Sequence, residues 1–349
     1  MVEIDGSYGE GGGQVLRSAL SLSLLTGRAV RLKNIRSGRS RPGLMPQHLK
    51  AVQAASAVGR ARVEGAAPGS TALVFEPAGL HPGQFRFDIG TAGSTSLVLQ
   101  TILLPLCLAG EPSHCVITGG THVPWSPCYH YLQRLWLPCL RRAGLEVALE
   151  MERTGFYPRG GGKISASIAP VEALRPLSLA ERGAIRSASL LSFVTQLDER
   201  IAERQLHQAR RRLAGRFGRI EQELAELPGP GKGSLLLVVA EFEHSRCCYY
   251  GLGERGKSAE RVADEAVDAL ERFLGSGGAI DEHLADQLLL PLALAEGRSE
   301  LRTARVTEHL LTNAWVIRQF LPADIVIEEA PGRAGLVRID GCGWPPRKL

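Results

Sequence analysis

Apolar residues recur along the chain in two patterns, short runs of strand length and longer runs with helical spacing. The short runs predict β-strands at 29–35, 72–77, 84–90, 114–120, 163–170, 234–243, 324–330 and 336–340. The longer runs predict helices at 14–26, 44–58, 94–109, 126–143, 199–214, 258–274, 281–295 and 307–320. The expected N-caps are Ser94 and Ser258, and the expected helix stops are Gly27, Gly59, Gly110 and Gly144. This alternation of strands and helices indicates the α/β class.

A strand, a glycine-rich turn and an apolar helix recur near GEGGGQ (9–14), GTAGST (90–95) and GSGGAIDEH (275–283). The copies share few residues, so the recurrence is one of architecture rather than of sequence. We therefore expect a large domain that is built from similar units.

The segment 184–275 departs from this pattern. It holds a very basic helix at 204–219, a Pro-Gly stretch at 227–234 and one long predicted strand. We interpret it as a smaller α/β domain that is inserted into a large domain formed by 1–183 and 276–349. The arginines of the basic helix fit either a solvated helix face or a contact with nucleic acid.

Composition excludes only a few classes of protein. The 349 residues suffice for two domains or for one large domain with an insert. A net charge of +5 favours an anionic partner. Seven cysteines without a C-x-x-C pair fit neither a zinc site nor a disulfide framework, so we expect reduced thiols in a cytoplasm. No apolar run has the length of a membrane span, and the first residues lack a signal-peptide pattern.

The glycine-rich stretch GEGGGQVLRS (9–18) lies between a strand-like run and a helix. Its glycines let an anion approach backbone N–H groups at a helix start, yet it matches neither a P-loop nor a dinucleotide-binding fingerprint. The carboxylate of Glu10 in such a loop makes sense if a divalent cation bridges it to phosphate. Two alternatives are a tight turn that needs positive φ and a salt bridge between Glu10 and Arg17.

A second stretch, IRSGRSRPGLMPQHLKA (35–51), concentrates positive charge. Arg36, Arg39 and Arg41 precede a Pro-Gly turn, and Gln47 follows at the start of a helix. Guanidinium groups that are crowded in one loop repel one another unless an anion lies between them, and each can bind phosphate oxygens in pairs. The loop therefore favours a polyphosphate or nucleic acid over a merely solvated basic surface.

One histidine is placed for chemistry near the end of the chain. If Thr307 caps the helix at 307–320, His309 lies in its first turn, where the positive end of the helix dipole lowers the pKa of an imidazole. A neutral imidazole beside a triphosphate can attack phosphorus and form a phosphoramidate. The alternative is a histidine that only caps the helix or packs in the core.

Taken together, these stretches resemble the RNA 3'-terminal phosphate cyclase family. The resemblance rests on DGSYGEGGGQVLRSALSLSLLTG (5–27), IRSGRSRPGL (35–44), QHLKA (47–51), GTAGSTSLVLQTILLPL (90–106), GFYPRGGG (155–162), EHLADQLLLPLALA (282–295) and HLLTN (309–313). It implies ATP-dependent conversion of an RNA 3'-phosphate into a 2',3'-cyclic phosphate. It also implies a large domain of three βαβαββ units, each like the C-terminal domain of translation initiation factor 3, with a smaller inserted domain.

The resemblance also assigns roles to residues. His309 would be the adenylylated nucleophile, and Glu10 would hold a divalent metal, Mg or Mn. The residues implied at the triphosphate are Arg17, Arg36, Arg39 and Gln47. Those implied around the adenosine are Gln100, Pro127, Tyr250, His283, Leu284, Ala285, Asp286 and Gln287. The chain departs from the family at His283, where members carry tyrosine, and in the residues around Pro127.

Several alternatives remain open at this point. Trp125 and Trp136 could stack on substrate, although burial in the core is the expected place for such rings. A non-catalytic relative that assists ribosome assembly, or an enolpyruvyl transferase of similar repeated units, should lack a nucleophilic histidine. The expected partners are RNA with a 3'-phosphate end and ATP, without a membrane, and a homo-oligomer is left open.

Overall fold

A computed structural model describes residues 1–345 of the chain. The first half of these residues contains the strands β1 (Val2–Asp5), β2 (Val30–Lys33), β3 (Arg62–Glu64), β4 (Leu73–Glu76), β5 (Gln84–Asp88), β6 (Ser113–Gly119), β7 (Val147–Arg153) and β8 (Gly162–Ile168). The second half contains β9 (Ser178–Leu179), β10 (Ile185–Thr195), β11 (Ile220–Glu226), β12 (Gly233–Phe242), β13 (Arg246–Leu252), β14 (Glu296–Thr303), β15 (Asp324–Ile327) and β16 (Gly335–Cys342).

The helices lie between these strands. They are α1 (Gly13–Thr26), α2 (Pro46–Gly59), α3 (Thr95–Cys107), α4 (Tyr129–Tyr131), α5 (Leu137–Arg142), α6 (Arg200–Leu213), α7 (Ala259–Ser276), α8 (Glu282–Ala293) and α9 (Glu308–Phe320). A π-helical turn, Leu132–Trp136, joins α4 to α5. The mixture of helices and mixed sheets confirms the predicted α/β class.

Three sheets share one strand order. They read β1-β2-β4-β3, β5-β6-β8-β7 and β9-β14-β16-β15. In each, the first two strands pair in parallel, the third strand pairs antiparallel with the second, and the fourth pairs antiparallel with the third. The first strand is followed along the chain by a helix that packs in the shared core, namely α1, α3 and, after a long excursion, α8. Parallel strands need such crossovers, which explains the helical spacing in the sequence.

The fourth sheet, β11-β10-β12-β13, has its own hydrophobic core against α6 and α7. The long strand predicted at 234–243 is present as β12, whereas β10, β11 and β13 were not predicted. The edge strand β11, IEQELAE, is exposed along most of its length. An edge strand with so few buried positions leaves no apolar run to detect.

Helix ends follow the predicted capping residues in most places. The hydroxyl of Ser94 accepts from Leu97 N at 3.3 Å and that of Ser258 accepts from Arg261 N at 3.1 Å, which confirms both N-caps. Gly27 ends α1 with φ of 66°, in the left-handed region that glycine tolerates. Gly59 was wrong as a stop, because it lies inside α2 and Arg60 takes the left-handed conformation instead.

Arginines of the basic helix α6 form ion pairs with acidic residues of α7. Arg212 donates to Asp264 at 3.1 Å and to Asp268 and Glu271 at 2.6 Å each. Arg204 makes a two-fold contact of 2.8 Å with Glu260. Arginines of α6 therefore join this helix to α7 through ion pairs. This weakens the interpretation of α6 as a nucleic-acid surface.

The seven cysteines are free thiols, and six of them are buried. Burial raises the pKa of Cys107, Cys115 and Cys128 to about 12, so these thiols stay protonated and unreactive. Across residues 1–345, no helix combines the length and the apolar character that a membrane span requires.

We predict that Arg212→Ala destabilises the packing of α6 on α7 by about 1–2 kcal/mol. Three charge-assisted hydrogen bonds are lost, and their value is reduced by partial solvent exposure. Urea unfolding at low and high salt measures the loss, which should shrink as salt screens the network. The matched control is Arg210→Ala on the same helix, where the described residues offer no ion-pair partner. Equal effects of the two substitutions would contradict the network.

Candidate active site

The glycine loop between β1 and α1 docks onto helix α9. Glu10 N donates to Thr312 Oγ1 at 3.1 Å. Gly9 has φ of 58°, and a Cβ at this position would collide with Thr312 Oγ1. Gly9 is therefore required twice, for its backbone conformation and for the close approach of α9. The docking brings the backbone and side chain of Glu10 beside the first turn of α9.

His309 lies in that first turn. Thr307 caps α9 as predicted, because its hydroxyl accepts from Leu310 N at 3.1 Å. The wall of a cleft surrounds the imidazole, yet 46% of the side chain remains exposed, so a substrate can reach it. Burial and the nearby guanidinium of Arg17 lower the pKa of His309 to about 4. The imidazole is therefore neutral at pH 7.

Gln14 fixes which ring nitrogen of His309 is free. His309 Nδ1 lies 2.9 Å from Gln14 Oε1, and an amide oxygen accepts hydrogen bonds but cannot donate them. Nδ1 therefore carries the proton, and Nε2 carries the lone pair. A neutral imidazole that is held in this tautomer is a nucleophile with a defined attacking atom.

The carboxylate of Glu10 is paired with Arg39. The two side chains form an ion pair, whereas the sequence had suggested Arg17 as the partner. Only 13% of the Glu10 side chain is exposed, and its Oε2 atom has no hydrogen-bond partner among the described residues. Glu10 Oε2 lies 3.8 Å from His309 Nδ1. One carboxylate oxygen beside the nucleophile is thus available to another ligand.

Arg17 and Arg36 face the same cleft in different ways. Burial lowers the pKa of Arg17 to about 10, which still leaves it charged at pH 7. Arg36 has φ of 54°, and its Nη1 donates to the carbonyls of Arg41 and Gly43 at 2.9 and 2.8 Å. Arg36 therefore shapes its own loop as well as contributing charge. Gln47 Oε1 accepts from Ser94 N at 2.8 Å, which ties the start of α2 to the start of α3.

These groups line one cleft of about 850 Å³. The sequence-predicted residues in its wall are Glu10, Arg17, Arg36, Arg39, Gln47, Gln100, Pro127, Tyr250, His283, Asp286, Gln287 and His309. Near His309, the guanidinium groups of Arg17, Arg36 and Arg39 outnumber the single carboxylate of Glu10. A positive, partly desolvated cleft with a neutral nucleophile suits an anionic ligand that reacts at phosphorus.

Elsewhere in the cleft wall the side chains are mainly neutral. Gln100 Nε2 donates to Gln287 Oε1 at 2.6 Å, and Tyr250 Oη donates to the carbonyl of Ser126 at 2.7 Å. Burial and the neighbouring Asp281 raise the pKa of Asp286 to about 8. A largely protonated carboxyl at pH 7 can donate as well as accept, which suits the hydroxyls and ring nitrogens of a nucleoside.

Leu284 and Ala285 lie elsewhere. Both side chains are fully buried in the hydrophobic core, on the side of α8 that faces away from the cleft. The predicted contact of these two residues with a nucleotide is therefore limited to their backbone atoms. Trp125 also differs from expectation, because it is 100% exposed at the rim of the cleft, whereas Trp136 is buried.

The sequence did not identify the residues that hold α1, α8 and α9 together. Ser18 Oγ donates to Asn313 Oδ1 at 2.6 Å, and Asn313 Nδ2 donates to the carbonyl of Asp286 at 2.7 Å. Thr312 and Asn313 follow His309 by three and four residues, so all three share one face of α9. That spacing within HLLTN was the signal available for their positioning role.

One feature of the described cleft, a carboxylate oxygen of Glu10, suits a divalent metal. No group of three or more His, Cys, Asp or Glu side chains that could hold a metal exists among residues 1–345. Glu10 Oε2, however, is buried and lacks a partner. Mg²⁺ commonly binds through one carboxylate together with water and substrate phosphates. The residues therefore fit a metal that arrives with a phosphorylated ligand.

Comparisons with known proteins agree with this geometry. Residues 8–327 match the family described as "RNA 3'-terminal phosphate cyclase". A relative of that name from Pseudomonas fluorescens is 49% identical over 93% of this chain and 94% of its own. Relatives of that name from Ralstonia nicotianae (46%, 97% and 96%) and Pyrobaculum neutrophilum (44%, 99% and 99%) are similar over the whole length.

The chain therefore belongs to the RNA 3'-terminal phosphate cyclase family, which confirms the predicted family and its ligase-type enzyme class. A solved structure, the enolpyruvyl transferase NikO from Streptomyces tendae, aligns over 98% of this chain and 49% of its own. Its TM-score of 0.39 and identity of 10% are too low to support an argument.

We predict that Thr312→Val damages the site, whereas Thr312→Ser does not. Valine leaves the partly buried Glu10 N–H without its acceptor, which costs about 1–3 kcal/mol, and it releases the loop from α9. Serine keeps the hydroxyl. Thermal unfolding and nucleotide binding should both decline for the valine variant. If valine and serine behave alike, Thr312 does not position the loop through its hydroxyl.

Proposed function

We propose that the protein uses ATP to cyclise an RNA 3'-terminal phosphate into a 2',3'-cyclic phosphodiester. The observation that carries this proposal is the neutral imidazole of His309, with Nε2 free, in a cleft lined by guanidinium groups. Family membership supports the same reaction.

The reaction proceeds in three displacements at phosphorus. His309 Nε2 attacks the α-phosphorus of ATP, an N–P bond forms, and pyrophosphate leaves. An oxygen of the RNA 3'-phosphate then attacks the same phosphorus, which breaks the N–P bond and gives RNA-(3')pp(5')A. Finally the vicinal 2'-oxygen loses its proton and attacks the terminal RNA phosphorus, and AMP leaves. The protein contributes position and charge at each displacement.

The basic residues neutralise the triphosphate in this proposal. Arg17, Arg36 and Arg39 bring positive charge, and the amide of Gln47 lies at the junction of α2 and α3. Arg39 would exchange its ion pair with Glu10 for phosphate when ATP enters. Glu10 would then hold Mg or Mn, whose charge offsets that of the phosphates.

The adenosine would occupy the other end of the cleft. Gln100, Pro127, Tyr250, His283, Asp286 and Gln287 line the cleft there, and Leu284 and Ala285, which are buried in the core, would contribute backbone atoms only. The protonated carboxyl of Asp286 offers a donor there.

We also propose a domain organisation. The three sheets of shared strand order represent three βαβαββ units, each like the C-terminal domain of translation initiation factor 3, in a large domain of 1–183 and 276–349. The fourth sheet with α6 and α7 would be the inserted domain of 184–275. Residues 346–349 of the large domain lie outside the described residues. Free cysteine thiols favour a cytoplasmic location.

Two other functions compete with this proposal. A ribosome-assembly protein of the same fold would not need a nucleophile, and an enolpyruvyl transferase would not need His309 beside a triphosphate site. Incubation with α-labelled ATP and metal separates them. A cyclase retains acid-labile label on the protein, and the other two do not.

We predict that His309→Ala abolishes labelling by α-labelled ATP and leaves the fold intact. The side chain is partly exposed at a helix start, so its removal should change the free energy of unfolding by less than about 1 kcal/mol. Mass spectrometry should find one AMP on the wild-type protein and none on the variant. The control His244→Ala removes an exposed histidine outside the cleft and should label normally. An AMP on some other residue of the His309 variant would refute the assignment.

We predict that Glu10→Gln raises the metal concentration needed for enzyme-AMP formation by roughly ten-fold or more. Glutamine keeps the shape of the side chain but removes its charge, and a helix start supplies only about half a positive charge. Metal titrations of both proteins measure the change, with Glu3→Gln as a control carboxylate on the surface of β1. Superimposable metal curves together with a lower Tm would instead assign Glu10 to the ion pair with Arg39.

A further inference from the structure

Few aromatic side chains are exposed in this protein. Among residues 1–345, the exposed aromatic rings are Tyr8 at 45%, Trp125 at 100% and Tyr157 at 69%. Tyr8 stacks on Trp315, with ring centroids 4.0 Å apart. Within the described part of the chain, no aromatic ring stacks on Trp125 or Tyr157. These two rings are therefore accessible to a stacking ligand.

The two rings stand on segments that are tied together. Gly155 N donates to Thr121 Oγ1 at 2.8 Å, and the carbonyl of Gly155 accepts from Thr121 N and His122 N at 2.9 and 3.1 Å. Trp125 follows His122 by three residues, and Tyr157 follows Gly155 by two. The exposed aromatic residues are therefore carried by neighbouring parts of one surface.

Trp125 is held in a strained conformation. Its φ of 64° lies in the left-handed region, which is unfavourable for a bulky aromatic residue. The next residue is fixed on both sides, because Tyr250 Oη donates to the carbonyl of Ser126 and Ser126 Oγ donates to the carbonyl of Val123 at 3.2 Å. Since Tyr250 lines the same cleft, the strained ring is kept at the rim of the site.

The loop that carries Tyr157 also adjoins the phosphate end of the cleft. A Cβ at Gly160 would lie 2.7 Å from Ala92 Cα, so this loop packs directly on the turn that precedes α3. Gln47 bonds the same turn at Ser94 N. The guanidinium of Arg159 donates to the carbonyl of Pro230, which brings the exposed Lys232 nearby. Positive charge therefore accompanies the exposed ring.

We propose that Trp125 and Tyr157 form a stacking platform for the unpaired nucleotides at the 3' end of the RNA substrate. Aromatic rings bind any nucleobase through its π-face, and flanking cations follow the phosphate backbone. This inference rests on the proposed function and adds to it the way in which RNA is held. The platform requires single-stranded RNA and imposes little sequence preference.

The test uses Trp125→Gly and Tyr157→Ala in the full chain, with Val326→Ala as a control that removes an exposed apolar side chain elsewhere. Glycine accepts the φ of residue 125 without strain, so Trp125→Gly should not lower the Tm. Each substitution should weaken binding of a fluorescent single-stranded RNA with a 3'-phosphate by about 5-fold to 150-fold, the range for one stacked base. Trp125→Phe should restore part of the affinity.

Kinetic measurements distinguish the loss of a contact with RNA from the loss of a contact with ATP. In the platform variants, the KM for RNA in AMP transfer should rise more than the KM for ATP in histidine labelling. An unchanged affinity for RNA would overturn the proposal. A larger effect on ATP than on RNA would also overturn it and place Trp125 in the adenosine pocket. If the wild-type protein binds the RNA but acquires no AMP, the proposed function fails while the binding comparison still tests the platform.

Discussion

The docking of the glycine loop onto helix α9 is the contact on which the site depends. The hydrogen bond from Glu10 N to Thr312 Oγ1 and the close approach at Gly9 place the carboxylate of Glu10 beside His309. The chain Ser18–Asn313–Asp286 extends the same docking to α8. One set of polar contacts thus joins the helix of His309, the glycine loop and the part of the cleft that Asp286 lines.

The electrostatics of the cleft depend on this geometry. Burial together with the guanidinium of Arg17 keeps His309 neutral, and burial keeps the carboxyl of Asp286 largely protonated at pH 7. At pH 7 the imidazole is therefore neutral and the carboxyl largely so. The positive charge of the arginines meets little internal compensation beyond Glu10, whereas the arginines of α6 are neutralised by α7. The basic stretches 35–51 and 204–219 thus differ in how far acidic side chains neutralise their arginines.

Features that depend on residues close together in the sequence were predictable. Thr307 before an apolar helix predicted the cap of α9, and the glycines of the 9–13 loop predicted a tight approach. Partners that are distant along the chain were not predictable, so the ion pair of Glu10 with Arg39 was not foreseen, and Arg17 had been named only as an alternative partner. The strand β11 was missed because its edge position buries few side chains. The exposure of Trp125 depends on a left-handed backbone that no local pattern signalled.

The order in which the chain is made has a bearing on this arrangement. Glu10 and Thr312 are separated by 302 positions, so the ribosome releases the glycine loop long before helix α9. The fourth sheet needs no strand beyond Leu252 and can form while the third sheet still awaits β14. A nascent chain therefore holds folded parts, whereas the cleft that contains both Glu10 and His309 is complete only after α9 has been made.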